Sequence, residues 1–315
     1  MTGFKSNKWE ESKYWMTICT PTYQRAKALN RVYDSLLNLK NPYDKGKIIQ
    51  FEWLIVDDGS KDGTKDIVKK WCNEDKIPIR YYYQENQGKH VAVNFAVQHS
   101  NSEVFLTLDS DDTLLENALL VFYEEWGKIE NKQNYKGLTC RCIDPETKKI
   151  LGDPLPRNPF DVSTLDLRYK YKIKGEMCGF NRTDLMKLYP FPTPDPRMRF
   201  CPESIVWFEM AKKYKERLVD IPVREYYRDT NNAITGHSFN RSISNYYGWI
   251  YCVNNVLSYL PIAPKDVIKP CIGASMDGLK IGKGVAGILK DIKSIWGRLL
   301  VLTFMPIGYF LSKIR

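Results

Sequence analysis

Two loops in the first 115 residues place closely spaced acidic residues directly after an apolar run. Residues 57–60 are Asp-Asp-Gly-Ser and follow FEWLIV, and residues 109–112 are Asp-Ser-Asp-Asp and follow EVFLTL. Carboxylates this close raise one another's pKa values unless a cation or hydrogen-bond donors compensate, so a divalent metal is a natural occupant. Oxygen ligands favour Mg²⁺ or Mn²⁺. Asp, Gly and Ser are also common turn and helix-capping residues, but two such loops together favour the metal.

The elements that would position these loops alternate between strands and helices. The predicted strands are 16–20, 51–56, 77–83 and 103–108, and the predicted helices between them are 26–39, 65–71 and 90–98. This alternation is typical of an α/β fold with a mostly parallel central sheet. Such sheets bind ligands beyond the carboxyl ends of their strands, which is where both acidic loops lie.

The second half of the chain has a different organisation. Residues 144–166 contain four prolines and little periodicity, which predicts a long loop or a connection between sub-domains. A helix at 204–214 and a strand at 218–227 follow, and the chain is predicted to be helical from about residue 241. We therefore expect a catalytic domain at 1–240, with halves at about 14–115 and 116–240, and a C-terminal helical region at 241–315.

Composition sets the broad class of the protein. With 315 residues, of which 43% are hydrophobic, the chain can bury one large core or a core with a smaller helical appendage. The eight cysteines form no CxxC pair, so we expect reduced thiols in the cytosol. The N-terminus has no apolar signal segment, which again predicts a cytoplasmic protein.

More than half of the net charge of +10 lies at the C-terminal end of the chain. Residues 279–315 contain seven Lys or Arg against one Asp, beside a long apolar segment. A nucleic-acid-binding protein could use basic residues and the twenty tyrosines, but the predicted cleft is acidic and would repel a polyanion. The distribution favours an anionic membrane, and we expect no nucleic-acid partner.

Four segments in this order resemble family 2 glycosyltransferases of the GT-A fold, of the bacterial surface-polysaccharide type. They are TPTYQR at 20–25, VDDGSKDGT at 56–64, NQG at 86–88 continuing to Asn94, and LDSDD at 108–112. The resemblance covers roughly residues 16–115 and becomes looser up to about 237. It implies an inverting hexosyl- or N-acetylhexosaminyltransferase, usually with a UDP-sugar donor.

The resemblance also implies roles for particular residues. Those that would bind the nucleotide-sugar are Pro21, Thr22, Tyr23, Arg25, Asp57, Asp58, Lys89, Asn94, Asp109, Ser110 and Asp111. Either Asp57 or Asp58 would contact the base or ribose. Asp109 and Asp111 match the DxD motif that holds ribose and Mn²⁺ or Mg²⁺, with Asp112 as the alternative direct metal ligand.

Inversion in a single displacement requires a carboxylate that takes the proton from the acceptor hydroxyl. Related enzymes place this acid at the start of a helix, and Glu203 precedes the predicted helix 204–214. Glu203 is therefore the candidate base, although a carboxylate there could also simply complement the helix dipole. Glu209, two turns into the helix, is the weaker rival.

The resemblance points to four more residues. Glu176 and Arg182 lie where related enzymes receive the donor sugar and the acceptor, although Glu176 could instead pair with a neighbouring Lys or Arg. Arg228 or His237 could reach the diphosphate or the metal. A lone His is more often a structural hydrogen-bonding residue than a ligand.

The C-terminal tail, residues 283–315, has the pattern of a membrane-associating helix. Apolar residues recur at steps of three and four from Val285 to Leu300, and an apolar run follows at 299–311. Thirteen residues are too few to span a hydrocarbon core that needs about 20, so an interfacial helix with basic flanks is predicted. The alternative is a helix that packs on the catalytic domain or on a second copy of the chain, as in a homo-oligomer.

Together these observations predict an enzyme that moves a sugar from a nucleotide diphosphate to a lipid-linked or cell-surface glycan. We expect it to be cytoplasmic and peripheral on the inner face of the plasma membrane. The alternative is a non-catalytic scaffolding protein on a transferase fold. A nucleotidyltransferase would also use an α/β fold, but it would normally have a glycine-rich phosphate loop, and residues 20–26 contain no glycine.

Overall fold

Apolar strands and amphipathic helices alternate along the first half of the chain, as predicted. The structure is a computed structural model that describes residues 2–11, 14–228 and 241–314. Its strands are β1 Thr2–Lys5, β2 Met16–Thr22, β3 Tyr43–Asp44, β4 Lys47–Ile48, β5 Phe51–Asp57, β6 Ile79–Tyr83, β7 Val104–Thr107, β8 Thr113–Leu114, β9 Tyr135–Ile143, β10 Phe160–Val162, β11 Met177–Arg182 and β12 Lys215–Glu225.

The helices are concentrated between the parallel strands and at the C-terminal end. They are α1 Ala26–Leu37, α2 Thr64–Glu74, α3 Lys89–Gln98, α4 Ala118–Gly127, α5 Thr164–Tyr169, α6 Thr183–Leu188, α7 Ser204–Ala211, α8 Arg241–Val256, α9 Pro264–Lys280, α10 Val285–Lys290 and α11 Ile295–Ile314. Short 3-10 turns lie at Lys132–Asn134 and Leu257–Tyr259.

Ten of the described strands form one large sheet in the order β1-β6-β5-β2-β7-β11-β9-β12-β10, with β8 beside β12, and β3 and β4 form a separate two-stranded sheet. Strands β6, β5, β2 and β7 are mutually parallel, and so are β9 and β12, whereas β1, β8, β10 and β11 pair antiparallel. The register aligns Thr22 of β2 with Asp57 of β5. The loops after these two strands therefore begin side by side at one edge of the sheet, and the loop after β7 joins them there.

The core of this part is built by one face of each helix. In α1 the buried residues Leu29, Val32, Tyr33 and Leu36 repeat at steps of three and four, so they form a single stripe that packs on the sheet. Tyr33 stacks on Trp71 of α2 at a centroid distance of 4.4 Å. Each such side chain contributes roughly 1.5–3 kcal/mol by its burial, which fixes the helices that follow the loops.

Two compact units divide the chain. The first comprises the described residues of Met1–Ser163, Ile173–Pro190 and Lys213–Ala233, and the second those of Thr164–Lys172, Phe191–Lys212 and Ile234–Arg315. The second unit thus contains α5, α7 and all helices from α8 onwards. The predicted functional division at about residue 240 stays a prediction.

Some boundaries differ from the predicted ones. Helix α7 ends at Ala211 rather than at 214, because β12 already begins at Lys215. Within 144–166 the chain has irregular structure up to residue 159, followed by β10 and the start of α5. These two elements are too short for their periodicity to be detected in the sequence.

In the second unit, helix α11 packs on α9, with Gly308 at the contact. Its buried residues are Gly297, Val301 and Gly308, and a Cβ at Gly308 would lie 2.6 Å from Cβ of Ser275 in α9. Among the described residues, α11 alone is long and apolar enough to cross a membrane, judged by length and composition. The helix has 20 residues, longer than the apolar run at 299–311, so length by itself no longer excludes spanning.

Candidate functional site

The loop after β5 is joined to the loop after β6 by the carboxylate of Asp58. Its Oδ1 accepts hydrogen bonds from Gln84 Nε2 at 2.7 Å and from the backbone N–H of Gln87 at 2.8 Å, and its Oδ2 accepts one from the N–H of Gly88 at 2.8 Å. Gly59 has a φ of +94°, and a Cβ there would lie 3.0 Å from the backbone nitrogen of Asn86. Asp58 therefore holds the Asn-Gln-Gly segment against the Asp-Asp-Gly loop.

Asp57 is fully buried at the end of β5. It accepts hydrogen bonds from the N–H of Ser60 at 2.8 Å and from the hydroxyl of Tyr81 at 2.7 Å. Desolvation by burial and this hydrogen bond to a carboxylate raise the pKa of Tyr81, so its hydroxyl stays protonated and donates. The carboxylates of Asp57 and Asp58 therefore both hold the loops at this edge of the sheet in place.

The loop after β2 is attached to the same structure. Gln24 has a φ of +54°, its N–H donates to Ser60 Oγ at 2.9 Å, and its Oε1 accepts from the N–H of Lys61 at 3.1 Å. Pro21 and Thr22 are buried, and Tyr23 is 44% exposed. Three of the four sequence segments are therefore brought together, with Tyr23 on the open side.

The fourth segment, Asp109 to Asp112, lies beside them with cations next to its first and third residues. Lys89, the first residue of α3, has its Nζ 2.5 Å from Asp109 Oδ1. Nη1 of Arg25 lies 3.4 Å from Asp111 Oδ2. Asp109 and Asp111 are partly exposed, whereas Ser110 is 9% exposed.

Asp112 has a different environment, because it is 1% exposed. Its Oδ1 accepts the N–H of Tyr227 at 2.9 Å, and its Oδ2 lies 3.2 Å from Arg224 Nη1. Burial raises the pKa of Asp112 to about 7 against the opposing charge of Arg224, and the negative charge of Asp109 adds to the increase. For Asp109 burial also raises the pKa, but Lys89 and Arg224 outweigh it and hold the pKa below its usual value.

Three residues of this site were not singled out in the sequence. Gln84 bonds Asp58, Arg224 pairs with Asp112, and Arg31 donates from Nη2 to the backbone oxygen of Asp111 at 3.0 Å. Arg31 also lies over the ring of Tyr227 at 4.1 Å. A charged residue inside the apolar strand 218–227 was the available signal for Arg224, since such residues are rarely buried without a partner.

The donors at this edge fit a divalent metal that is shared with a ligand. Among the described residues, no group of three or more His, Cys, Asp or Glu side chains could hold a metal ion on its own. Asp109 and Asp111 offer carboxylate oxygens only, and Mg²⁺ in proteins is often held by one or two carboxylates together with substrate phosphates. The arrangement suits a metal held jointly by carboxylates and substrate phosphates rather than one held by protein ligands alone.

The remaining candidates lie elsewhere or contact other groups. Asn94 lies in α3, where it is half-buried. Glu176 is exposed and lies 3.9 Å from Arg224, not beside Arg182. Arg182 is held by Asp184, with Nε 3.1 Å from Oδ1.

Two of the predicted catalytic groups belong to other parts of the chain. Glu203 is exposed in the second unit, directly before Ser204, the first residue of α7. Glu209 pairs with Lys212 at 3.0 Å and accepts from Asn255 Nδ2 at 3.0 Å. Arg228 is exposed at the end of the first unit, and His237 lies outside the described residues.

Comparison with known proteins gives a family match that includes all four segments. The family model described as "Glycosyl transferase family 2" matches residues 17–183. Putative teichuronic acid biosynthesis glycosyltransferase TuaG of Bacillus subtilis is 24% identical over 71% of this chain and 82% of its own length. Dolichyl-phosphate beta-glucosyltransferase ALG5A of Trichomonas vaginalis is 32% identical, but the match covers only 32% of each chain.

Solved structures show the same fold. The crystal structure of S. aureus TarS 1-349 in complex with UDP has a TM-score of 0.57 and 16% identity, over 95% of this chain and 90% of that one. TarS 1-349 has also been solved in complex with UDP-GlcNAc, with a TM-score of 0.53 and 16% identity over the same shares. The predicted α/β fold of the GT-A type with C-terminal helices is thereby confirmed.

Proposed function

The chain belongs to glycosyl transferase family 2, and we propose that it transfers a sugar from a UDP-sugar to a lipid-linked or cell-surface glycan. Transfer inverts the anomeric carbon. The observation that carries this proposal is the convergence of the loops after β2, β5, β6 and β7 at one edge of the sheet. Two partly exposed carboxylates lie there, each with a cation beside it. TuaG, whose name places it in teichuronic acid biosynthesis, and the UDP-bound TarS support this donor and acceptor class.

The donor binds along these loops. Pro21, Thr22 and Tyr23 line the nucleotide, and the ring of Tyr23 is exposed enough to stack on its base. Lys89 and Arg25 lie beside the two open carboxylates, where their charges attract the diphosphate. Asn94 follows Lys89 on the same helix. Asp57 and Asp58 act mainly by holding the loops in place, since both carboxylates are hydrogen-bonded within the protein.

Asp111, together with Asp109, would hold a divalent metal, Mn²⁺ or Mg²⁺. When bound it supplies charge that stabilises the departing diphosphate. Asp111 is the better ligand of the two alternatives, because Asp112 is buried and paired with Arg224 whereas Asp111 is partly exposed. His237 remains a candidate further ligand outside the described residues.

Glu203 is the base. As the acceptor oxygen forms its bond to the anomeric carbon, the bond from that carbon to the diphosphate oxygen breaks and the hydroxyl proton passes to the Glu203 carboxylate. An exposed carboxylate next to a helix N-terminus is accessible to an acceptor hydroxyl. Such proton transfer typically contributes about 10²–10⁴-fold in rate.

The test is nucleotide diphosphate release with Mn²⁺ and a panel of UDP-, GDP- and dTDP-sugars. We expect the wild type to select one donor and both Asp111→Asn and Glu203→Gln to lose activity. Glu209→Gln is the matched control, because it neutralises a carboxylate on the same helix and should retain activity. If no sugar nucleotide releases its diphosphate and calorimetry detects no nucleotide binding, the scaffolding protein is favoured. If no diphosphate is released but a nucleotide binds, the assay lacks the acceptor.

We further propose that the enzyme is peripheral on the cytoplasmic face of the plasma membrane, held there by α11. The face of α11 opposite α9 is apolar and exposed: Trp296 is 70% exposed, Leu299 46% and Phe310 65%. The buried residues of α11, Gly297, Val301 and Gly308, extend from its first turn to residue 308, so the helix can contact a membrane along its exposed side while it stays docked. The Lys and Arg residues of the tail would meet anionic headgroups.

Co-sedimentation of the full chain with vesicles tests this attachment. We expect binding to vesicles that contain anionic lipid, weaker binding to neutral vesicles, and loss of binding in the double variant Leu299→Glu/Phe310→Glu. Leu188→Glu is the control, since Leu188 is 65% exposed but lies in α6 of the first unit. Equal binding by all variants would contradict the proposal and favour the packing role of the helix.

A further inference from the structure

The end of β12 is joined by backbone pairing to the segment that follows the acidic loop Asp109–Asp112. Strand β8 directly follows Asp112, and its two residues pair with β12 in the register Leu114↔Arg224 and Thr113↔Glu225. The N–H of Leu115 also donates to the oxygen of Val223 at 2.8 Å. The acidic loop is therefore closed at its C-terminal end by β12.

Arg224 is the central residue of this attachment. It is 7% exposed, and its guanidinium group is surrounded on several sides. Nη1 lies 3.2 Å from Asp112 Oδ2, Nε donates to Cys142 Sγ at 3.2 Å, and Nη2 donates to the oxygen of Met177 at 3.2 Å. One side chain thus connects the acidic loop with β9 and β11.

The buried pair of Asp112 and Arg224 separates the roles of the acidic residues. Three carboxylates within four residues repel one another, and the loop must place two of them outward and one inward. Asp112 is drawn inward by Arg224 and by the N–H of Tyr227, while Asp109 and Asp111 stay partly exposed. Removing Arg224 would leave a buried carboxylate without its counter-charge, which favours a rearranged loop.

We propose that Arg224 is a positioning residue for sugar transfer, which acts through Asp112 to orient Asp109 and Asp111 toward the donor. The proposal rests on the proposed function, because the donor defines what the two carboxylates are oriented toward. Residues that orient metal-binding groups typically change metal affinity or activity by about 10–100-fold when they are mutated. We expect an effect of this size although Arg224 itself touches neither metal nor sugar.

Calorimetry with UDP and Mn²⁺ measures the effect without an acceptor. In Arg224→Met we expect the affinity for UDP with Mn²⁺ to fall at least tenfold, and in Arg224→Lys we expect partial recovery. The double variant Asp112→Asn/Arg224→Met should bind no more weakly than Arg224→Met, because both changes remove the same contact. Additive losses would contradict action through Asp112.

Arg217→Met is the matched control for a purely structural effect. Arg217 lies on the same strand and forms a bidentate pair with Asp161, with Nε and Nη2 each 2.8 Å from a carboxylate oxygen. We expect it to lower the melting temperature without weakening UDP binding. Hydrogen exchange in the ligand-free proteins adds a second measurement: the amides of residues 112–115 should exchange faster in Arg224→Met than in Arg217→Met.

The outcomes separate this proposal from the proposed function. If the wild type binds neither UDP nor a UDP-sugar, the proposed function fails and this inference fails with it. If the wild type binds UDP and Mn²⁺ but Arg224→Met binds equally well, the transferase assignment stands and the positioning role of Arg224 is overturned. The same conclusion follows if Arg217→Met weakens binding as much as Arg224→Met.

Discussion

The carboxylate of Asp58 lies 2.8 Å from the backbone nitrogen of Gly88, and this contact joins two loops that are 30 residues apart in sequence. The same carboxylate accepts the N–H of Gln87. Gly88 has a φ of +100° and directly precedes α3, whose first residue, Lys89, reaches Asp109. Asp58 therefore helps to position Asp109 indirectly: it holds the start of α3, and Lys89 at that start contacts Asp109.

Asp58→Asn should destabilise the fold and weaken donor binding together. The amide offers one acceptor oxygen in place of two, so one buried donor loses its partner at a cost of about 1–3 kcal/mol. Thermal unfolding and UDP calorimetry measure the two effects. Glu116→Gln is the control, because Glu116 forms an exposed pair with Lys40 and should leave both quantities nearly unchanged. Normal UDP affinity in Asp58→Asn would show that donor binding does not depend on the hydrogen bonds that the Asp58 carboxylate accepts from the loop after β6.

Lys89→Met should shift the pH dependence of donor binding. Burial raises the pKa of Asp109 and Lys89 lowers it, with a lowered pKa as the net result. Without Lys89 the pKa rises, so the carboxylate becomes protonated at a higher pH and binding is lost earlier as the pH falls. Calorimetry with UDP and Mn²⁺ from about pH 2.5 to about pH 7 extends below the ordinary Asp pKa of about 3.9 and so includes the acid limb of both proteins. An unshifted acid limb would show that Asp109 ionisation does not control binding.

Asp161→Asn should remove stability at neutral pH but not in acid. The bidentate hydrogen bonds from Arg217 hold the pKa of Asp161 below its usual value. A lowered folded-state pKa stabilises the fold above the unfolded pKa of about 3.9, and this stabilisation is lost as the pH falls through the folded value. The pair is partly exposed, so we expect about 1 kcal/mol at pH 7. Chemical denaturation of both proteins at neutral pH and at several pH values below about 3.9 should show the difference and then its progressive loss.

The sequence predicted the parallel half of the fold well because each strand there is a buried apolar run followed by a loop with strong turn residues. The four mutually parallel strands β2, β5, β6 and β7 were placed within two residues at each end. The antiparallel strand β11, Met177–Arg182, was missed because its alternation of half-buried and buried residues lasts only four residues and breaks at Asn181. Pairings over long sequence distances leave little local signal.

The candidate site was predicted only in part, because local motifs are visible in the sequence and long-range contacts are not. Residues such as Asp58 and Asp109 stand in dense local motifs, so their presence at one edge followed from strand direction. Arg224 lies 112 residues after Asp112, and only the β8–β12 pairing brings the two side chains together. The different exposures of Asp111 and Asp112 likewise depend on this contact, which the order of residues in the loop does not reveal.

Gly308→Ala tests how α11 is seated on α9. A Cβ at this position would lie 2.6 Å from Cβ of Ser275 and 2.9 Å from the oxygen of Ile272, so the two helices must separate, at a cost of about 1–3 kcal/mol. Gly287→Ala is the matched control in α10, where the nearest atom would be 3.7 Å away, and it should stabilise the helix by about 0.5–1 kcal/mol. Melting temperatures should therefore move in opposite directions. A Gly308→Ala protein as stable as the control would mean that α11 is not held on α9 in solution, and sideways attachment to a membrane would then lose its structural basis.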